Sequence, residues 1–295
     1  MISLSFGVNL LWAGVAALII VHIWLSWRFQ ILGDQQCARL TALRSSKSPA
    51  VPPMLIRDFV FRSRPSSAHR PKTVRIHQTG EMRLSKQGQW MPFTAIQDIA
   101  IQQPGFVWRA IFRAAPRIKI MVIDSYIEGK GYLEAKLLGS IPLAKAAGAG
   151  TDRGELMRYL SELIFCPDAL LDNGSLQWCE LNPSAIEVSV EAGQKRVAVR
   201  FDFNQDGDII RSSAPDRPRL VGDQEIETPW FGTFSDYKVL EGYRIPTWGE
   251  VSWLLEDGPY CYWRGRITQL EVDPEGDSKT ILQAATQLAH PVAIG

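Results

Sequence analysis

A chain of 295 residues with 46% hydrophobic side chains has ample material for a core, which excludes a disordered tail or a simple linker. The formal charge of +1 conceals a division: residues 1–27 hold no Lys, Arg, Asp or Glu, residues 28–86 carry twelve basic side chains against Asp34, Asp58 and Glu81, and the remainder is net −8. A basic excess confined to the segment beside an apolar helix fits anionic lipid, and the acidic remainder argues against a nucleic-acid partner.

The first predicted element is "GVNLLWAGVAALIIVHIWLSW", Gly7 to Trp27, an uncharged run long enough to cross a hydrocarbon core of roughly 30 Å. It reads as a single-pass transmembrane helix, residues 1–30, with Trp24 and Trp27 placed for an interfacial belt. A cleaved signal peptide needs a basic start and a small-residue cleavage site, and "LSWRFQIL" offers neither. Arg28, Arg39, Arg44 and Lys47 follow the helix while no basic side chain precedes it, so the positive-inside rule predicts a cytoplasmic soluble domain at the cell membrane. The four cysteines form no CxxC pair, in keeping with a reducing compartment.

Residues 31–51 read as a juxtamembrane helix and linker ending at Pro52-Pro53. The short amphipathic segment "MLIRDFVFR" opens an antiparallel β domain spanning 52–274, followed by a tail over 275–295. From Thr73 the apolar period becomes two. "TVRIHQTGEMRL", "GFVWRAIFRA", "RIKIMVIDSYI", "YLEAKLL", "AIEVSVEA", "KRVAVRFDF", "GYRIPTWGEVSWLL" and "YWRGRITQLEV" are strand-like, with connections short enough to demand hairpins. One helix, Thr151 to Phe165, interrupts them; Leu156, Leu160, Leu163 and Ile164 share a face, and Asp152 and Glu155 have capping-box spacing. The glycines ahead of it lack the spacing and the βαβ setting of a dinucleotide loop, so no cofactor is predicted.

"FDFNQDGDIIRSS", Phe201 to Ser213, opens like a calcium loop, but the twelfth position that needs a bidentate Glu is Ser213. The alternation of Val197, Val199, Phe201 and Phe203 makes it a strand running into an Asp206-Gly207 turn, and no metal site is predicted. No HExxH, GxSxG or phosphate-binding loop occurs.

Two strands, "GFVWRAIFRA" and "RIKIMVIDSYI", are apolar on both faces, which a sheet with one wet face would not be. The predicted fold is therefore mainly β with one or two covering helices: a transmembrane helix followed by a strongly curved antiparallel sheet or half-barrel. Such a concavity suits a hydrophobic ligand or lipid, with Trp108, Tyr159, Trp230, Trp253 and Trp263 as apolar wall and Arg158, Arg244 or Arg264 meeting a polar headgroup. The bland reading is that these rings fill an ordinary core. Two further readings stay open: a membrane-associated enzyme using Glu155, Glu250, Asp236 or Tyr237, and a structural or assembly protein.

The blocks "MRLSKQGQWMPFTAIQ", "PGFVWRA", "RGELMRYLSEL", "TPWFGTFSDY", "GYRIPTWGEVSWLL" and "YWRGRITQLE" resemble an uncharacterised family of bacterial single-pass membrane-anchored proteins over residues 52–272. That resemblance implies no catalytic residues. The "DGDIIR" hairpin followed by "EGYRIPT" is similar to the sheet rhythm of half-barrel lipoprotein carriers. This second resemblance implies a helix-closed half-barrel around an acyl chain, and a site outside the cytoplasm, against the charge flanks.

Overall fold

The computed structural model describes residues 2–45, 47–65, 69–193 and 195–274, with side chains from residue 12 onward; the tail over 275–295 lies outside them. Helix α1 runs unbroken over Ile2–Ala42, through the basic flank at Arg28, so the segment 31–42 continues the apolar helix in the same line. Helix α2, Met54–Ser63, starts directly after Pro53, whose fixed φ suits a helix start, and buries Ile56, Phe59 and Val60.

Thirteen strands follow: β1 Thr73–Met82, β2 Met91–Ala100, β3 Phe106–Ala115, β4 Ile118–Ile127, β5 Lys130–Leu137, β6 Ile141–Ala147, β7 Gln177–Asn182, β8 Ala185–Ala192, β9 Lys195–Phe203, β10 Ile209–Val221, β11 Gln224–Leu240, β12 Tyr243–Leu255 and β13 Gly258–Val272. They form one antiparallel sheet in the order β6-β5-β4-β3-β2-β1-β13-β12-β11-β10-β9-β8-β7. Two meanders thus meet where the last strand pairs with the first, and the sheet curves without closing. Eight of these strands carry a readable period-two pattern. β2, β6, β7, β10 and β11 do not: Gln97 and Asp98 are buried in β2, β10 contains Pro215 and Pro218, and β6 is exposed along nearly its whole length.

Curvature comes from glycine. Gly80, Gly265 and Gly249 sit directly opposite one another on three adjacent strands. A Cβ on Gly265 would lie 2.7 Å from the Trp263 ring, so the ring folds over a bare backbone that any side chain would push away.

The concave face is covered by α3, Ala149–Glu162, which continues through a 3₁₀ turn at Leu163–Phe165 into the short α4, Ala169–Asp172. Leu156, Leu160, Leu163 and Ile164 are all buried, as their shared face requires. The helix begins at Ala149, two residues before the predicted start at Thr151 and four before the first position that an Asp152–Glu155 capping box would open. Asp152 therefore lies inside it, and its Oδ1 accepts a hydrogen bond from the Gly131 backbone N–H of β5 at 2.8 Å.

The convex face explains the two-sided apolar strands. Phe29 of α1 packs with Ile111, Met121 and Ile123, and Cys37 and Leu40 pack with Val107 and Ile127. The second half of α1 is a cover the sequence does not announce: residues 1–30 read as membrane-spanning and 31–51 as a juxtamembrane helix and linker, yet Phe29, Cys37 and Leu40 pack on the sheet. Arg109 on β3 donates to Asp34 of α1 at 2.7 Å and reaches Asp98 of β2 at 3.7 Å. Arg75 on β1 meets the same Asp98 at 2.6 Å, and the Cys37 thiol donates to it at 3.2 Å. A buried carboxylate thus ties α1 to three strands by charge-assisted bonds.

Candidate functional site in the concave face

Antiparallel register fixes which side chains share the concavity. Met82, Met91, Phe93, Phe112 and Ile120 lie on one face with Trp263, while Gln97, Trp108 and Asp124 align two rows further down, below Ala95, Ala110 and Val122. Helix α3 lies over the lower part, near Phe106, Trp108 and Gly131. Above it the apolar floor continues, and Met82, Met91, Ile120, Val122 and Trp263 remain only partly buried. Trp263 packs on Phe93 at 5.7 Å between ring centroids, and Phe93 packs on Trp108 at 5.6 Å, so the floor is a connected aromatic surface.

At its lower boundary stands a buried ionic cluster. Arg158 of α3 donates to Asp124 at 2.6 Å and to Glu162 at 2.9 Å, and its guanidinium lies over the Phe106 and Trp108 rings. Gln97 donates to Glu162 at 2.5 Å, and the Trp108 indole donates to Gln78 at 2.8 Å. Glu155, one turn earlier on α3, faces Arg217 of β10 at 3.6 Å. Arg217 lies over Trp230 at 4.5 Å, and Tyr262 accepts from the Trp230 indole at 3.1 Å while stacking on Trp253. Burial, then the Glu155 charge, pushes the Asp124 carboxyl well above the ordinary carboxylate range, although Arg158 and Arg217 oppose the shift. Three carboxylates, Asp124, Glu155 and Glu162, thus face two guanidiniums. Asp124 Oδ1, Glu155 Oε2 and Arg217 Nε are buried and have no hydrogen-bond partner among the described residues.

Five of the eight residues singled out from sequence come to this face: Trp108, Arg158, Trp230, Trp253 and Trp263. Tyr159 projects from α3 and is fully buried, donating to the Ala100 carbonyl at 3.0 Å and accepting from Asn173 at 2.9 Å. Arg244 forms a two-pronged pair with Asp208 at 2.7 and 2.8 Å, beside Tyr237. Arg264 points to the convex face, where it pairs with Glu81 and covers Trp90. The acidic residues considered for catalysis are equally scattered: Asp236 pairs with Arg266 at 2.7 Å, Glu250 lies opposite Arg264, and Tyr237 donates to the Ile209 carbonyl at 2.7 Å. Only Glu155 joins the cluster. Sequence reading missed Asp124, Arg217, Gln78 and Gln97; polar residues inside otherwise apolar strands were the available signal.

In the loop that opens like a calcium site, side chains are engaged by the protein itself, Asp208 by Arg244 and others by groups close in sequence. Asn204 accepts from the Asp208 backbone N–H at 2.8 Å, Asp202 pairs with Arg200, and Gly207 takes the positive φ of the turn.

Among solved structures, the chain is similar to a LolA superfamily protein from Nitrosomonas europaea at 8% identity, covering 77% of this chain and 96% of that one, with a TM-score of 0.41. It is also similar to a domain assigned as an outer membrane lipoprotein-sorting protein from Vibrio parahaemolyticus at 10% identity, covering 78% and 96%, TM-score 0.40. A DUF1329 family protein from Desulfovibrio piger matches at 13% identity over 79% of this chain and 95% of that one, TM-score 0.40. No curated protein sequence matches the chain. The model of the Family of unknown function (DUF6920) matches residues 51–271, three quarters of the chain, and the chain belongs to that family.

Proposed function

We propose that the domain holds one amphipathic molecule, a lipid or a comparably apolar compound, against the concave face. Its apolar part lies along Met82, Met91, Ile120, Val122 and Trp263, and its polar end meets Arg158 and Arg217 between Trp108, Trp230 and Trp253. The observation that carries this reading is the join of two unlike surfaces: a partly exposed apolar floor ends at a buried cluster with an unpartnered donor and two unpartnered carboxylate oxygens. Unmet buried polar atoms cost roughly 1–3 kcal/mol each, so a ligand headgroup or ordered water that pairs them is favoured. Tyr159, Arg244 and Arg264, engaged elsewhere, support the structure around the site.

Helix α1 supports membrane attachment in the same reading. It is the one described helix long and apolar enough to cross a bilayer, and Trp12, Leu18, Ile20 and Ile23 stay exposed. The basic flank after it supports a cytoplasmic domain, and activity of a C-terminal phosphatase fusion in the periplasm would reverse that placement. Native mass spectrometry of the full-length protein released from detergent tests the binding. The wild type is expected to retain a single amphipathic ligand that Val122→Trp, which fills the floor, loses. Equal lipid on both proteins would overturn the reading.

A further inference from the structure

The way α1 crosses the convex face sets the height of the sheet relative to a bilayer. Leu40 and Leu43 close on Gly105 at the β2–β3 turn, Gly33 faces Arg109 and Ile123 in mid-sheet, and Phe29 packs on Ile111 and Met121. Ser26 then lies against Gly139, and His22 is hydrogen-bonded to Ser140 at 2.6 Å, both in the β5–β6 turn. The helix therefore leaves the sheet at the edge formed by the β1–β2, β3–β4 and β5–β6 turns. Residues 2–21 beyond that edge are twenty uncharged helical positions, about 30 Å at 1.5 Å per residue, the thickness of a hydrocarbon core. The segment within the bilayer is thus 2–21, and Trp24, Arg28 stacked over it at 4.9 Å, and Trp27 fall at headgroup level beside the three turns.

Those turns look like a surface for that level. Among the described residues of β1–β6 and their turns, the large exposed apolar side chains are Leu84, Ile118, Leu138, Ile141 and Leu143, all at this edge. Ile141 and Leu143 are each 52% exposed and Leu84 is 76% exposed. Arg113 and Arg117, also exposed, flank the β3–β4 turn. The opposite edge offers Gln102, Gln103, Glu128 and Lys130 instead. Apolar side chains interleaved with cations match an interfacial zone with anionic headgroups. The uncovered part of the concave floor opens at the same edge, since Ile120 and Leu137 are the partly buried neighbours of Ile118 and Leu138.

We infer that this edge of the β1–β6 arm is a second membrane contact, seated in the headgroup zone of the bilayer that α1 crosses, so that the concavity opens directly onto lipid. An acyl chain then passes from the bilayer along Ile120, Met91 and Met82 without crossing water. The inference rests on the proposed binding and anchoring and specifies where the ligand enters.

The test uses the full-length chain in vesicles of phosphatidylethanolamine and phosphatidylglycerol carrying a shallow nitroxide lipid. In a Cys179→Ser, Cys261→Ser background, an environment-sensitive fluorophore is placed at Trp24→Cys, Ile118→Cys, Ile141→Cys or Glu128→Cys; Cys37 and Cys166 are buried. Labels at 24, 118 and 141 should lose most of their emission to the nitroxide, and the label at 128 should keep it. Quenching at 24 with 118 and 141 as bright as 128 would overturn the edge contact while leaving the anchor in place. A bright label at 24 would remove the anchor, and the edge contact with it. The separate ligand test with Val122→Trp does not depend on either outcome.

Discussion

Replacing Arg158 with Met should unfold the domain more easily by about 3–5 kcal/mol, the cost of leaving buried carboxylates without their counter-charge. The structure places this change near the upper end. The side chain is 16% exposed, it holds Asp124 and Glu162 at 2.6 and 2.9 Å, and both partners are themselves largely buried. Glu162 keeps the hydrogen bond from Gln97, but Asp124 loses its one short partner, with Oδ1 already unpartnered among the described residues. Adding Asp124→Asn to Arg158→Met should therefore restore roughly 0.5–3 kcal/mol, the usual size of coupling within one buried network. Urea unfolding of the full-length protein in detergent, followed by tryptophan fluorescence, measures both numbers. If Arg158→Met lies within about 0.5 kcal/mol of wild type, or if the two changes simply add, the cluster is not the buried, coupled set described.

Other consequences follow from the same geometry. Because folding raises the Asp124 pKa, the folded state holds the proton more tightly. Its stabilising contribution is complete below the ordinary carboxylate pKa and fades as pH rises towards the folded value, so Asp124→Asn should flatten the decline seen in wild type across that window. Unfolding midpoints measured from acid to neutral pH check the sign, and parallel curves would refute it. On the convex face, Asp98 keeps Arg75 at 2.6 Å when Arg109 is lost, so Arg109→Met should cost about 1–3 kcal/mol, whereas Asp34→Asn should cost about 1 kcal/mol or less because Asp34 is 43% exposed. Equal losses would mean that α1 is not held as described. Gly80→Ala puts a Cβ 2.8 Å from the Gly265 Cα and should lower stability by about 1–3 kcal/mol, readable as a lowered melting temperature by circular dichroism. An unchanged melting temperature would separate the sheet's bend from this glycine row.

Much of the architecture is legible in the sequence because each β residue faces one of two environments. Val197, Val199, Phe201 and Phe203 alternate with polar neighbours and mark β9 to the residue. The pattern fails where a strand is buried around polar groups, as with Gln97 and Asp98 in β2, or lies exposed on both faces, as in β6. The two-sided apolar strands announce that both faces are covered, but not by what. The answer lies in the continuation of the apolar helix through a polar juxtamembrane stretch, where Phe29, Cys37 and Leu40 are sparse apolar positions that only tertiary contact identifies as a packing face. The site divides in the same way. Tryptophans identify the concave wall, whereas Asp124 of β4 and Arg217 of β10, far apart in sequence, are joined through Arg158 and Glu155 of α3, a tertiary contact that local periodicity does not encode.

Lipid held on the concave floor would be visible most directly by crosslinking. A photoreactive amino acid at Val122, activated in native membranes and followed by mass analysis of the full-length protein, should attach a lipid-sized adduct. The same group at Thr268, on an exposed position of β13, should remain unmodified. Equal labelling at both positions, or none at Val122, would mean that the concave floor does not bind lipid.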